Sequence, residues 1–279
     1  MDYRTILVHA DPSLHAPARI ALAASLARQA NAHLVGAATT GVSRHVCPEG
    51  YVSVPGKIIS DYLDPLIAAA QRDLDHFEAL ALASGAVLLE RKLVCDHTDD
   101  GLARQATFAD LVVLSQNDPG ESTSNFVSAL PEYVVYNCAR PVLVVPHSRQ
   151  LPHVGRKVLL AWNASREATA AMTGAIALMQ RASEVTVVRF DPAPGSDTGG
   201  MTPAADLPRY LERHGIGAQF VDRDSGGDVG KALLALAGEL GCDLIVMGCY
   251  GHTRMRELLL GGASRTVLQR MHVPVLMAH

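Results

Sequence analysis

Residues 248–264 read Gly248-Cys-Tyr-Gly251-His-Thr-Arg-Met-Arg-Glu-Leu-Leu-Leu-Gly261-Gly262-Ala263-Ser264, and these residue types suit the holding of a phosphate. Glycines let a backbone turn sharply and approach a ligand closely. A glycine pair opening a helix presents free amides backed by the positive end of the helix dipole. The same glycines also suit a plain turn and helix entry, and residue types alone do not choose between the two. Arg254 and Arg256 lie close enough in sequence to reach a terminal phosphate, whereas His252 has no carboxylate partner identifiable from spacing, so no catalytic residue is assigned. Cys95-Asp-His97 is too small a cluster for a metal, and the twelve histidines include no H-E-x-x-H, so no metal site is assigned either. Neither a G-x-G-x-x-G nor a G-x-x-x-x-G-K-[ST] motif follows the first strand of either half. Ser225-Gly-Gly-Asp228 reads as a loop and helix N-cap, and the sequon Asn163-Ala-Ser165 stays unused in a cytoplasmic chain.

The elements that must position the glycines emerge from an internal repeat. Asp110-Leu-Val-Val-Leu114 returns as Asp243-Leu-Ile-Val-Met247, and Arg140-Pro-Val-Leu-Val144 returns as Val273-Pro-Val-Leu-Met277. The aspartate-to-proline spacing is 31 in both copies (141 − 110 and 274 − 243). Thr5-Ile-Leu-Val-His-Ala-Asp11-Pro-Ser13 likewise matches Lys157-Val-Leu-Leu-Ala-Trp-Asn163-Ala-Ser165. The offset is 152 at the unit starts (163 − 11) and 133 later (243 − 110), so the first copy holds 19 additional residues. The chain therefore reads as a tandem pair, 1–147 and 155–279, with a short Pro-containing linker between. Each copy alternates short β-branched runs with longer amphipathic stretches, the pattern of βαβ units around a parallel sheet. Copy two predicts strands at 157–162, 184–190, 217–222, 243–248 and 273–278, with helices at 165–181, 203–214, 228–240 and 262–271. Copy one predicts strands near 4–9, 33–39, 86–94, 110–115 and 141–145, with its additional residues in a loop over 41–66 before a long helix to about Ala83. Ligands of open parallel sheets bind at the carboxyl ends of the strands, where strand order reverses, which is where residues 248–264 begin.

These residues resemble the universal stress protein family, here as a tandem two-domain member. Nucleotide-binding members carry, after the fourth strand, a glycine, two residues, a glycine, nine residues, a glycine and then serine or threonine. Gly248, Gly251 and Gly261 match the three glycines, Gly262 departs from the pattern, and Ser264 supplies a hydroxyl two positions later. The resemblance implies two Rossmann-like α/β domains of the adenine nucleotide alpha hydrolase type, each with a five-stranded parallel sheet and helices on both faces. It implies a stress-response module binding an adenine nucleotide, ATP with Mg²⁺, in the second domain. Ala161, Trp162, Phe190 and Met247 would flank the base, Asn163 would stand where the family has an aspartate, and Gly248, Gly251, Gly261, Gly262, Ala263 and Ser264 would hold the phosphates. The family's fifth strands pair across a two-fold interface, which implies an intrachain pseudo-dimer here and allows a homodimer of chains. In copy one the counterparts of the glycines are Ser115, Asp118 and Ser128, and Ala129 and Pro131 replace Gly262 and Ser264. A carboxylate repels phosphate and proline removes an amide, so copy one is expected not to bind ATP although it keeps Asp11.

Composition bounds these readings. The chain has 279 residues, 48% hydrophobic, 19% charged and 5% aromatic, with a net charge of −4, which excludes a disordered chain and argues against a nucleic-acid binder. The charge divides as −6 over residues 1–147 (10 basic, 16 acidic) and +2 over 148–279 (14 basic, 12 acidic), so the glycines lie in the more basic half. No run suits a membrane helix or a signal peptide, and five scattered cysteines suggest neither disulfides nor zinc, so the expected location is the cytoplasm and no membrane partner is expected. Two alternatives stay open at this point. One is a slow ATP hydrolase using the same pocket; the other is a nucleotide-free scaffold or small-molecule sensor in which the 41–66 loop, with Cys47, Tyr51 and Lys57, closes a pocket in the first domain.

Overall fold

A computed structural model describes residues 2–45, 56–121, 129–147, 153–192, 203–249 and 262–279, the side chains of 56–60 and 203–205 excepted. The chain divides into two units, Asp2–Val142 and Leu143–His279. Both are α/β units built on parallel strands.

In the N-terminal unit the order is β1 (Thr5–His9), α1 (Ala16–Ala30), β2 (His33–Thr39), α2 (Gly56–Ala83), β3 (Leu89–Val94), α3 (Thr98–Gln105), β4 (Leu111–Ser115) and α4 (Leu130–Asn137), and β5 (Val142–Val145) begins at its boundary. Its strands lie in the order β3-β2-β1-β4, all parallel, with Ile6 opposite both Leu34 and Leu111. Those three side chains are fully buried, as strands covered on both faces require. Strand order reverses between β1 and β4, which makes their carboxyl ends the switch point.

The C-terminal unit repeats the plan with β6 (Lys157–Ala161), α5 (Arg166–Met179), β7 (Glu184–Phe190), α6 (Pro203–Arg213), β8 (Gln219–Arg223), α7 (Val229–Leu240), β9 (Leu244–Gly248), α8 (Ala263–Arg270) and β10 (Val275–Ala278). The strand order is β10-β9-β6-β7-β8, again parallel, with the switch point between β6 and β9. Helix α5 packs on β9, β10 and β6, and α7 packs on α8. Ser165 and Asp228 cap α5 and α7 by accepting the Ala168 and Lys231 amides at 3.1 and 3.0 Å, and Gly241 ends α7 at a φ of 64°.

The aspartates that disclosed the repeat are one structural device used twice. Asp110 accepts the Arg4 and Thr5 amides at 2.7 and 3.0 Å, and Asp243 accepts those of Gly155, Arg156 and Lys157 at 3.1, 3.1 and 2.9 Å. Each pins the amino end of its unit's first strand to that of the fourth.

One expectation is corrected. Helix α2 begins at Gly56, so residues 56–66 are helical and Pro65 lies inside the helix. A proline removes one backbone hydrogen bond, but the buried stripe Leu63, Ala70, Leu74, Phe77 and Ala81 recurs at helical spacing and holds α2 on the sheet across it. Phe77 fills the place a side chain would take on Gly36 of β2, where a Cβ would stand 2.3 Å from the ring. Of the residues expected to close a pocket, Cys47 and Tyr51 lie outside the described residues and Lys57 falls within α2.

Candidate functional site

At the C-terminal unit's switch point, β6, β7 and β9 bring together several of the residues singled out from sequence. Ala161 lies opposite Val188, the Trp162 amide donates to the Val188 carbonyl at 2.9 Å, and Leu160 lies opposite Val246, so the residues after β6 stand between Phe190 and Gly248. Ala161, Trp162, Phe190 and Gly248 are half-buried and Asn163 is exposed, while Met247 is buried. Trp162 is therefore not a core residue. It lies at the strand ends.

The turn after β6 has a defined shape. Asn163 Oδ1 accepts the Ser165 amide at 3.1 Å, Ala164 takes the left-handed conformation at a φ of 58°, and Ser165 opens α5. Asn163 thus replaces aspartate without losing the carbonyl that shapes the turn, and its amide nitrogen is the donor that aspartate lacks.

Gly248 is fixed by packing. A Cβ there would lie 2.5 Å from the Ala168 amide nitrogen and 2.6 Å from the Glu167 carbonyl carbon, both backbone atoms. Only glycine lets β9 end this close to the first turn of α5. Gly251 and Gly261 lie outside the described residues, as do His252, Arg254 and Arg256. Gly262 caps α8 at a φ of −56°, a conformation open to any residue, Ala263 is half-buried and Ser264 is buried. The α8 amino end sits against α7, since a Cβ on Gly230 would be 2.9 Å from the Ala263 carbonyl oxygen. Because α7 starts just beyond the carboxyl end of β8, this contact brings the α8 amino end to the same edge of the sheet.

Sequence reasoning missed two residues here. Glu167, in the first turn of α5, is buried beside Gly248, and a bond from its own backbone amide, with Ser165 and Arg166, outweighs burial and holds its carboxyl below the usual range. Nothing in the spacing marks it except its place two residues after an N-cap serine. Asp191, directly after β7, takes a φ of 48° and accepts both the hydroxyl and the backbone amide of Ser225, the latter at 2.8 Å. Those bonds hold its carboxyl below the usual range and tie the ends of β7 and β8 together beside Phe190. Ser225-Gly-Gly-Asp228 is accordingly a loop and N-cap, with Gly226 and Gly227 at φ of 58° and 86°.

The N-terminal switch point is filled differently. Arg19 of α1 is 1% exposed, and its guanidinium donates to the His9 carbonyl at 3.0 Å, to Ser115 Oγ at 2.6 Å and to Asp11 Oδ1 at 2.7 Å. Asp11 Oδ2 faces His9 Nδ1 at 3.0 Å. Burial would raise the Asp11 carboxyl, but Arg19 and His9 outweigh it and hold it well below the usual range. Asp118, the counterpart of Gly251, bonds His15 Nε2 at 2.8 Å, and Pro131 lies in the first turn of α4; Ser128 is outside the described residues.

Comparison with known proteins places this geometry in context. Residues 155–279 match the model of the universal stress protein family. No curated protein matches the sequence. Among solved structures, a universal stress protein from Archaeoglobus fulgidus DSM 4304 is 16% identical over 98% of this chain and 95% of its own, with a TM-score of 0.70. A functionally unknown protein from Pseudomonas aeruginosa PAO1 is 18% identical over 99% and 92%, with a TM-score of 0.58. A universal stress protein from Archaeoglobus fulgidus in complex with dAMP is 17% identical over 52% of this chain and 98% of its own, with a TM-score of 0.36. The two long matches speak for the fold alone. No helix among the described residues is long and apolar enough to cross a membrane.

Proposed function

Residues 155–279 belong to the universal stress protein family, and from that premise we propose that they form a binding module for an adenine nucleotide, ATP carried with Mg²⁺, within a stress response. The observation that supports this most is the convergence of Trp162, Asn163, Phe190 and Gly248 at the switch point, with the amino end of α8 on the same edge of the sheet. Trp162 and Phe190 offer ring faces to a base, with the Ala161 and Met247 backbone beside them. Asn163 offers a donor to the ribose. The amides around Gly248, Gly251 and Gly261, and at Gly262, Ala263 and Ser264, suit the phosphates.

Glu167 bears on the metal. Glu167 is the residue packed beside Gly248, and its ionised carboxylate would oppose a bare phosphate bound there. Mg²⁺ would supply the positive charge that offsets this repulsion.

Trp162 is the only tryptophan in the chain, so its fluorescence reports on this place alone. Titration with ATP and Mg²⁺ is expected to change the emission with one equivalent per chain, to be weaker by about tenfold or more in EDTA, and to lose the optical signal in Trp162→Phe. Calorimetry finding no binding at millimolar ATP with Mg²⁺ would refute the reading.

A further inference from the structure

The two switch points occupy equivalent places in the repeat, and their contents are opposite. With the offsets of 152 and 133, His9, Asp11, Arg19 and Ser115 of the N-terminal unit correspond to Ala161, Asn163, Ala171 and Gly248 of the C-terminal unit. The first four form one hydrogen-bonded cluster around the Arg19 guanidinium. The second four are two alanines, a glycine and an exposed asparagine, and Ala171 is fully buried where Arg19 projects. A planar guanidinium with hydrogen bonds to a carboxylate, a hydroxyl and a carbonyl meets the same kind of partners that a bound ligand would seek there.

We propose that Arg19 is a built-in occupant of the N-terminal crevice: its guanidinium takes the place of a ligand between the ends of β1 and β4, and so confines ligand binding to the C-terminal unit. A ligand competing for that place must part Arg19 from Asp11, leaving the half-buried carboxylate without its guanidinium and the 1%-exposed Arg19 without its anion. That handicap weakens binding by a hundredfold or more. The inference rests on the proposed C-terminal site only in supposing that the equivalent crevice is a ligand place.

Adenosine is the probe, because it lacks the phosphates that Asp118 and Pro131 would oppose. Equilibrium dialysis is expected to give one equivalent per wild-type chain and two for the variant His9→Ala/Asp11→Asn/Arg19→Ala/Ser115→Gly. A wild type that binds none, with a variant that binds one, would leave this inference standing, and ATP with Mg²⁺ in place of adenosine then tests the C-terminal site separately. A variant that stays folded by circular dichroism and gains no equivalent overturns it. Should the variant unfold, the wild type decides through the Arg19 Nε–H resonance, assigned by its loss in Arg19→Lys. That resonance staying unmoved up to millimolar adenosine supports the occupancy, and its displacement as a second equivalent binds overturns it.

Discussion

Replacing Gly248 by alanine separates a glycine needed for packing from one needed only for a ligand. The added Cβ would stand 2.5 Å from the Ala168 nitrogen, and ordinary contact begins near 3.4 Å, so β9 and α5 must part by 0.9 Å (3.4 − 2.5). The atoms in the way are backbone, so no side chain can rotate to absorb the shift. The Ser165 cap on the Ala168 amide lies within α5 and moves with it. Overpacking of a close contact costs about 1–3 kcal/mol. Alanine's smaller loss of backbone freedom returns about 0.5–1 kcal/mol, leaving a net destabilisation of about 1.2 kcal/mol at the middle of those ranges.

The assay is urea unfolding followed by Trp162 fluorescence, which reads the C-terminal unit. At an m-value of about 2 kcal/mol/M the midpoint should fall by about 0.6 M. Gly262→Ala is the control, since its φ of −56° and ψ of 156° suit any residue and a weaker N-cap costs less than about 1 kcal/mol. A Gly248→Ala midpoint indistinguishable from wild type would refute the packing account and return Gly248 to a purely ligand-facing role.

Three further outcomes are expected. Arg19→Met takes the guanidinium from a half-buried carboxylate that keeps only His9 beside it, and should destabilise the N-terminal unit by about 2–3 kcal/mol at pH 7; chemical unfolding followed by far-UV circular dichroism measures this, and a change below 1 kcal/mol would contradict the pairing. Because the folded Asp11 carboxyl is depressed, its contribution is fully present above the unfolded value of about 3.9 and is lost as pH falls through the folded one. Wild-type stability should thus decline below about pH 4, and Arg19→Met should flatten that decline. Burial, with Glu184 and Asp243, pushes the Cys242 thiol up to about 11, and Cys138 and Cys249 are also buried. In a Cys47→Ser chain a thiol reagent at pH 8 should therefore modify half-buried Cys95 first and the other three only after denaturant; Cys242 reacting as fast as Cys95 would count against its burial.

Much of the fold was legible because the repeat and the hydrophobic periods agree. Strands at 184–190 and 33–39 fall where the β-branched runs end, and Ser165, Asp228 and Gly241 mark helix ends through side-chain or left-handed geometry that sequence can carry. The start of α2 was not legible, since Pro55-Gly56 and Pro65 look like loop punctuation and the stripe from Leu63 to Ala81 acts only once β2 lies beneath it. Within the candidate site, strand-end residues could be placed by counting from the repeat. Glu167, Asp191 and Arg19 could not, because each matters through a partner distant in sequence: Gly248, Ser225 and Ser115 respectively.

The contrast between the units also explains why divergence by the glycines alone tells half of the story. A buried arginine is stable only if something nearby is anionic, and Asp11 is the residue that the N-terminal unit retained while the C-terminal unit carries Asn163. Aspartate with Arg19 makes a neutral, closed cluster. Asparagine with Ala171 leaves a neutral, exposed turn whose side-chain carbonyl accepts the Ser165 amide. In the N-terminal unit the mixed alternative is costly, since Arg19 facing an asparagine would bury an unpaired cation. The exchange at the end of the first strand and the exchange in the following helix are therefore one coupled change, and the departure of Asn163 from the family's aspartate belongs to the unit that has no internal cation to balance.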